Sequence, residues 1–222
     1  HLCRMKFPTQ SVKNITFIHK KWSERMDRMS ERKVFATLGA SNHGISPREE
    51  NDYYATDPVA MELLLDRESF SPNVWECACG EGHLSKVLQE RGYNVWSTDL
   101  IDRGFGQPGV DFLQSDVMFD GDIITNPPYK YAKEFVQKAV ESVTDGHRVA
   151  MFLKVQFLEG KARRELFDTY PPKYIYISSN RICCCKNGDF SPEQRKNNSA
   201  QAYAWYIWEK GFTGEPVVRW FN

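Results

Sequence analysis

Apolar residues along this chain alternate between short continuous runs and segments where they recur at helical spacing. Residues 73–77, built around Val74 and Trp75, read as a short buried strand. From His83 the apolar positions Leu84, Val87 and Leu88 keep a helical period to about Arg91, and Gly92 stops it, as glycine does just past a helix end. Residues 93–99 return to a strand, and Asp122-Ile123-Ile124-Thr125 is a further apolar run. A helix over residues 131–143 carries Phe135, Val136, Ala139 and Val140 on one face. Residues 147–155 form a strand around Ala150-Met151-Phe152-Leu153, and residues 161–170 a helix that Pro171-Pro172 breaks. Residues 174–178 and 202–208 are two last strands with no helix between them. Such alternation predicts a largely parallel sheet covered by helices on both faces. Ligands of open sheets of this kind sit beyond the carboxyl ends of the strands, where Gly80, Asp99, Asp116 and Asn126 all fall.

Residues 1–36 read as an extension outside this core. Its first 28 residues are basic and without a period, which predicts poor order or, alternatively, an arm that helps hold nucleic acid. Residues 37–52 read as loop, and 37–222 as a single domain. With 41% hydrophobic and 14% aromatic residues in 222, the chain is large enough for one real core. No run of about 18 apolar residues occurs, so no membrane helix is expected, and the N-terminus lacks a signal-peptide pattern.

Three of the six cysteines are consecutive at 183–185, unlike the spaced framework of a secreted disulfide protein, so a reducing, cytoplasmic location is expected. Structural zinc also needs spaced ligands, so the triplet reads as small apolar side chains packed at a strand end, and no metal is expected. Lysine plus arginine equals aspartate plus glutamate at 29 each, so overall charge does not announce a polyanionic partner. Local clusters do remain, at residues 154–164 and 181–196. The second lies in residues 179–201, a connection too long for a plain hairpin and read as the substrate-recognition loop. Lys154, Arg181, Lys186, Arg195 and Lys196 are the candidate substrate contacts.

The sharpest chemistry is Asn126-Pro127-Pro128-Tyr129, directly after an apolar strand. A planar NH₂ is a poor nucleophile because its lone pair is delocalised. An enzyme that methylates it must accept hydrogen bonds from the amine and favour a pyramidal nitrogen. The Asn126 side-chain carbonyl is one acceptor and the Pro127 backbone carbonyl a second, held rigidly by proline's fixed φ. Tyr129 offers an aromatic face for a flat substrate, so the four residues form a preorganised acceptor pair beside a platform. Upstream, Gly80 and Gly82 sit in a turn between strand and helix, the arrangement that lets backbone approach a nucleotide closely. The pattern lacks the third glycine of the dinucleotide fingerprint, which disfavours NAD and FAD. Asp99 closes the next strand 17 positions after Gly82, near the roughly 20-residue offset at which a carboxylate reaches ribose hydroxyls.

In order and spacing, residues 53–158 resemble the S-adenosylmethionine-dependent amino-methyltransferases, the adenine-N6 DNA methyltransferases in particular. The matching stretches are Tyr53-Tyr54-Ala55-Thr56-Asp57-Pro58 before a helix of residues 59–65, then Glu76 to Gly82, Asp99, Asp116 and Asn126 to Tyr129. The resemblance implies a class I, Rossmann-like methyltransferase fold: a mostly parallel seven-stranded sheet with an antiparallel C-terminal edge hairpin. It implies S-adenosylmethionine as cofactor, its methionine part held by Glu76 and the Gly80–Gly82 backbone with Cys77 alongside, and closed over by Tyr54, Thr56 and Pro58. Asp99 would hold the ribose and Asp116 the adenine amine, Asn126 would also touch the cofactor, and Asn126, Pro127, Pro128 and Tyr129 would hold the base to be methylated.

No Pro-Cys dipeptide is present for a thiolate mechanism, so direct transfer to nitrogen is expected. DNA is the expected nucleic-acid partner, in the manner of the small phage-encoded enzymes that the compact chain resembles. Adenine in RNA and the glutamine amide of a release factor present the same planar NH₂ and stay open, as does a non-catalytic partner subunit. Target sequence and oligomeric state are not legible.

Overall fold

The computed structural model describes residues 54–185, 188, 190–193 and 201–221. The extension at 1–36, the loop at 37–52, and Lys186, Arg195 and Lys196 lie outside the described residues. The strands are β1 (Ala55–Thr56), β2 (Asn73–Glu76), β3 (Asn94–Ser97), β4 (Asp122–Thr125), β5 (Arg148–Lys154), β6 (Tyr174–Ile177), β7 (Cys184–Cys185), β8 (Tyr203–Glu209) and β9 (Val217–Trp220). The helices are α1 (Val59–Leu65), α2 (His83–Glu90), α3 (Ala132–Ser142) and α4 (Lys161–Thr169), with 3₁₀ turns at Phe112–Gln114, Tyr129–Tyr131 and Val155–Leu158. Seven strands form one sheet in the order β3-β2-β4-β5-β8-β6-β9, while β1 and β7 make a separate two-stranded ribbon.

The first four strands of the sheet run parallel, β8 pairs antiparallel with both β5 and β6, and β9 pairs parallel with β6. The antiparallel pair of the sequence reading is therefore present, but β8 is inserted between its neighbours and β9 forms the edge. The edge strand escaped the sequence because it packs little: Val217, Val218 and Trp220 are all exposed.

Both faces of the central strands are buried, which is why they read as unbroken apolar runs rather than alternating ones. Along β5, Val149, Met151 and Leu153 join the core under α3 and α4, where Phe135, Val136 and Leu166 meet them. Ala150 and Phe152 face the opposite layer with Met61, Leu64, Leu84 and Leu88 of α1 and α2. Each fully buried side chain of this size contributes about 1.5–3 kcal/mol. Two tryptophans also tie helices to the sheet through their indole N–H: Trp205 donates to the Ala60 carbonyl at 2.9 Å and Trp208 to that of Tyr170 at 3.0 Å. Bulky Trp75 fits beside the glycine turn because it stacks on Trp96, with centroids 4.4 Å apart, and donates to Thr98 Oγ1 at 2.9 Å. Among the described residues no helix is long and apolar enough to cross a membrane.

Candidate active site

The carboxyl ends of β2, β3, β4 and β5 open on one cleft of about 890 Å³. Asn126 follows β4 directly. Its Nδ2 donates to the Tyr54 carbonyl at 2.9 Å, which fixes the amide, and its Oδ1 is buried with no hydrogen-bond partner among the described residues. A fixed amide with an unused carbonyl at the cleft wall is an acceptor awaiting a donor, because a buried unpaired oxygen is costly. The Pro128 carbonyl accepts from Tyr131 N–H at 2.9 Å, whereas the Pro127 carbonyl takes no backbone N–H of the described residues.

The Tyr129 ring neighbours those of Tyr54 and Tyr203, with centroids 6.1 and 5.9 Å away, and its hydroxyl donates to Cys184 Sγ at 3.2 Å. Burial holds the Tyr129 phenol well above its usual pKa, so it stays a neutral donor. Lys154, at the end of β5, places its ammonium over this ring, 4.9 Å from the centroid.

On the other side of the cleft, β2 ends in Glu76, a buried carboxyl. Burial is the main cause that lifts its pKa from 4.5 to about 8, against the opposing hydrogen bond from the Ser85 hydroxyl. Ser85 of α2 in turn meets Ser97 Oγ of β3 at 2.6 Å, so three elements brace this carboxyl. Cys77 and Cys79 line the cleft beside it as protonated thiols; burial and then Glu76 push Cys79 up to about 12 and Cys77 well above its usual range. Both are free thiols, as is Cys184, whereas Cys183 is disulfide-bonded, a feature that the reading of the triplet as packed small side chains did not include.

The glycine turn is locked to the end of β3, since Gly80 N–H donates to Asp99 Oδ2 at 2.8 Å and Ile101 N–H to Asp99 Oδ1 at 2.9 Å. Gly82 caps α2 at φ +79°, and a Cβ there would stand 2.4 Å from the Phe105 ring, so only glycine fits. Ala78, Cys79 and His83, rather than the two glycines, line the cleft wall at this turn.

The structure brings together Tyr54, Thr56, Glu76, Cys77, Asp99, Asn126, Pro127, Pro128, Tyr129 and Lys154 around the one cleft. Besides the two glycines, three sequence candidates fall off the cleft wall. Asp116 is exposed and off the cleft, because residues 112–114 form a 3₁₀ turn instead of the strand that would have ended at Asp116. Asp111 takes the place at the cleft wall, five positions earlier, accepting from Leu113 N–H at 3.0 Å. Its signal was available as an acid directly ahead of the buried Phe112. Pro58 starts α1 and borders a smaller, separate depression with Arg181, which is itself exposed. Gln156 and Arg163, inside the 154–164 cluster but not among the candidate contacts, line the cleft near Lys154.

Backbone comparison gives the fold a wider frame. A candidate class I S-adenosylmethionine-dependent methyltransferase from Listeria monocytogenes matches 81% of this chain and 68% of its own, with TM-score 0.52 and 13% identity. The fold is that of the class I methyltransferases. A candidate RNA methyltransferase from Pyrococcus horikoshii matches with TM-score 0.52 and 18% identity over 81% of this chain and 99% of its own. A predicted O-methyltransferase from Agrobacterium tumefaciens shares the class I fold with TM-score 0.52 and 11% identity over 74% and 85% of the two chains. No protein-family model matches the sequence, and no curated protein does either.

Proposed function

We propose that this chain transfers a methyl group from S-adenosylmethionine to the exocyclic N6 amine of adenine, in DNA. The observation that carries the reading is the Asn126 amide, pinned through Nδ2 with its buried Oδ1 unpaired at the cleft wall. An acceptor that is fixed and unsatisfied before substrate arrives needs no reorganisation when the amine presents its hydrogens. The Pro127 carbonyl supplies the second acceptor, and Tyr129 the platform that orients the ring.

The opposite wall fits the cofactor. S-adenosylmethionine, when bound, supplies a methyl group on a positively charged sulfur. On this reading the Glu76 carboxyl, which lines the cleft, holds the ammonium of its methionine part, and Asp99 and Asp111, which line it too, accept from hydroxyls and amine of its nucleoside. At about 890 Å³ the cleft lies near the top of the roughly 300–1,000 Å³ typical of small-molecule sites, consistent with two ligands meeting in it. Charge also divides across it. Asp99 and Asp111, beside the protonated Glu76, line the side suited to a cationic cofactor, with Arg103 among them, while Lys130, Lys154 and Arg163 line the side suited to a phosphodiester. If the substrate is duplex DNA, the adenine must leave the stack to reach Tyr129, at a cost of a few kcal/mol.

Transfer of tritiated methyl to unmethylated DNA, wild type beside Asn126→Ala, tests the reading. Wild type should yield labelled N6-methyladenine, and the variant should lose about 10²–10³-fold in rate, as when one preorganised hydrogen-bonding group is removed, while still binding cofactor. Label in RNA or in a release factor instead would move the substrate and keep the chemistry. No cofactor binding by the wild type would sink the proposal.

A further inference from the structure

Several basic side chains of this unit stand opposite a counter-ion. Arg148 meets Glu68 at 2.9 Å, Lys173 meets Glu209 at 2.7 Å, Arg91 meets Asp66 at 3.0 Å and Arg164 meets Asp168 at 2.8 Å. Lys154 does not. It is half-buried in the cleft, it has no carboxylate partner among the described residues, and its ammonium rests on the face of Tyr129 at 4.9 Å. Its backbone is fixed, since the Lys154 carbonyl accepts from the Tyr206 hydroxyl at 3.2 Å, but the flexible stem leaves the ammonium free to swing. A partly desolvated cation held only by a ring quadrupole is poised to exchange that ring for an anion.

We infer that Lys154 makes this exchange with a phosphate of the acceptor strand, and so selects nucleic acid as substrate. The inference rests on the reading of Asn126 as the amine acceptor. A base that comes to stack on Tyr129 must take the face that the ammonium covers. The ammonium then leaves the ring, and it needs compensation. A nucleotide brings its own, because a phosphate is attached one sugar away from the base. A glutamine side chain offers the same planar amide to Asn126 but no anion, so it would displace the ammonium with nothing in return. Lys154 thus couples two events: the acceptor ring can occupy Tyr129 only as the backbone beside it binds the lysine. The Asn-Pro-Pro-Tyr residues read the amine, and Lys154 reads what the amine is attached to.

The test compares wild type, Lys154→Met and Lys154→Arg in methyl transfer to an unmethylated oligonucleotide over about 50–200 mM salt. Methionine keeps the stem and removes the charge. Its KM for DNA should rise about tenfold, and the slope of log(kcat/KM) against log salt should become shallower by about 0.7–0.9, the value of one phosphate contact. Cofactor affinity should be unchanged, and arginine should restore the slope. An unaltered KM and slope in Lys154→Met would overturn the inference. Weakened cofactor binding in that variant would overturn it too, by assigning the lysine to the cofactor's carboxylate. A wild type that labels no nucleic acid would remove the underlying reading, a failure visible before any variant is made.

Discussion

Glu76 is a carboxyl that its surroundings keep protonated at neutral pH. Burial lifts it to about 8, so between 4.5 and 8 the folded chain holds a proton that the unfolded chain would release. The sign follows: the ligand-free protein should lose stability as pH rises across that window. A ligand that brings an ammonium to Glu76 reverses the preference and draws the carboxylate out. Cofactor binding at pH 7 should therefore release a proton, measurable by calorimetry in buffers of different ionisation heat, and Glu76→Gln should abolish the release. The same residue shows why single positions were unevenly legible. An acid ahead of Gly80 and Gly82 could be picked from spacing, but its protonation follows from complete burial, which the Ser85 hydroxyl only partly offsets and which no local pattern reveals. Asp111 and Asp116 make the converse case. Both are acids in one short segment, and only the 3₁₀ turn at Phe112–Gln114 decides which of them meets the cleft.

At the scale of elements, the β1–β7 ribbon links parts of the chain that the sequence reading kept separate. Thr56 pairs with Cys184 and Ala55 with Cys185, and Asp57 N–H donates to the Cys183 carbonyl at 3.1 Å. The first strand follows Tyr54, whose carbonyl pins Asn126, and the second offers Cys184 Sγ to the Tyr129 hydroxyl. The two sides of the ribbon therefore hold two residues of the Asn-Pro-Pro-Tyr motif, and the connection after β6 also reaches the start of α2, where Phe190 packs edge-on against His83 at 5.1 Å. Removing the sulfur acceptor should loosen Tyr129. Cys184→Ala is expected to raise KM for DNA about three- to tenfold, the usual worth of one hydrogen bond, with kcat and cofactor affinity retained and Cys184→Ser restoring KM in steady-state kinetics. Two-residue strands such as β1 and β7 carry no periodicity, so this pairing was invisible in the sequence. The elements that could be read, β5 and α3 above all, are those whose own side chains fill the core and so repeat at the period of their geometry.

For the whole molecule, balanced charge sets how the site is used. The chain carries 29 basic and 29 acidic side chains, and its cleft sorts them by side rather than by number. Non-specific affinity for a polyanion grows with the count of phosphates neutralised, so a chain without net positive charge has little to hold it on DNA between targets. Turnover should therefore be distributive. On a DNA carrying two target adenines, molecules with one methyl group should accumulate before doubly methylated product appears, a course that mass spectrometry of the product strand can follow. The exposed β9 edge gives the molecule a property of another kind. Val217, Val218 and Trp220 lie along the last strand of the sheet with Trp220 63% exposed, and the far side of that strand has no partner among the described strands. An apolar strand edge left open in this way is a template for another strand, so storage at high concentration is the circumstance in which the protein would recruit copies of itself, sheet to sheet, and leave solution.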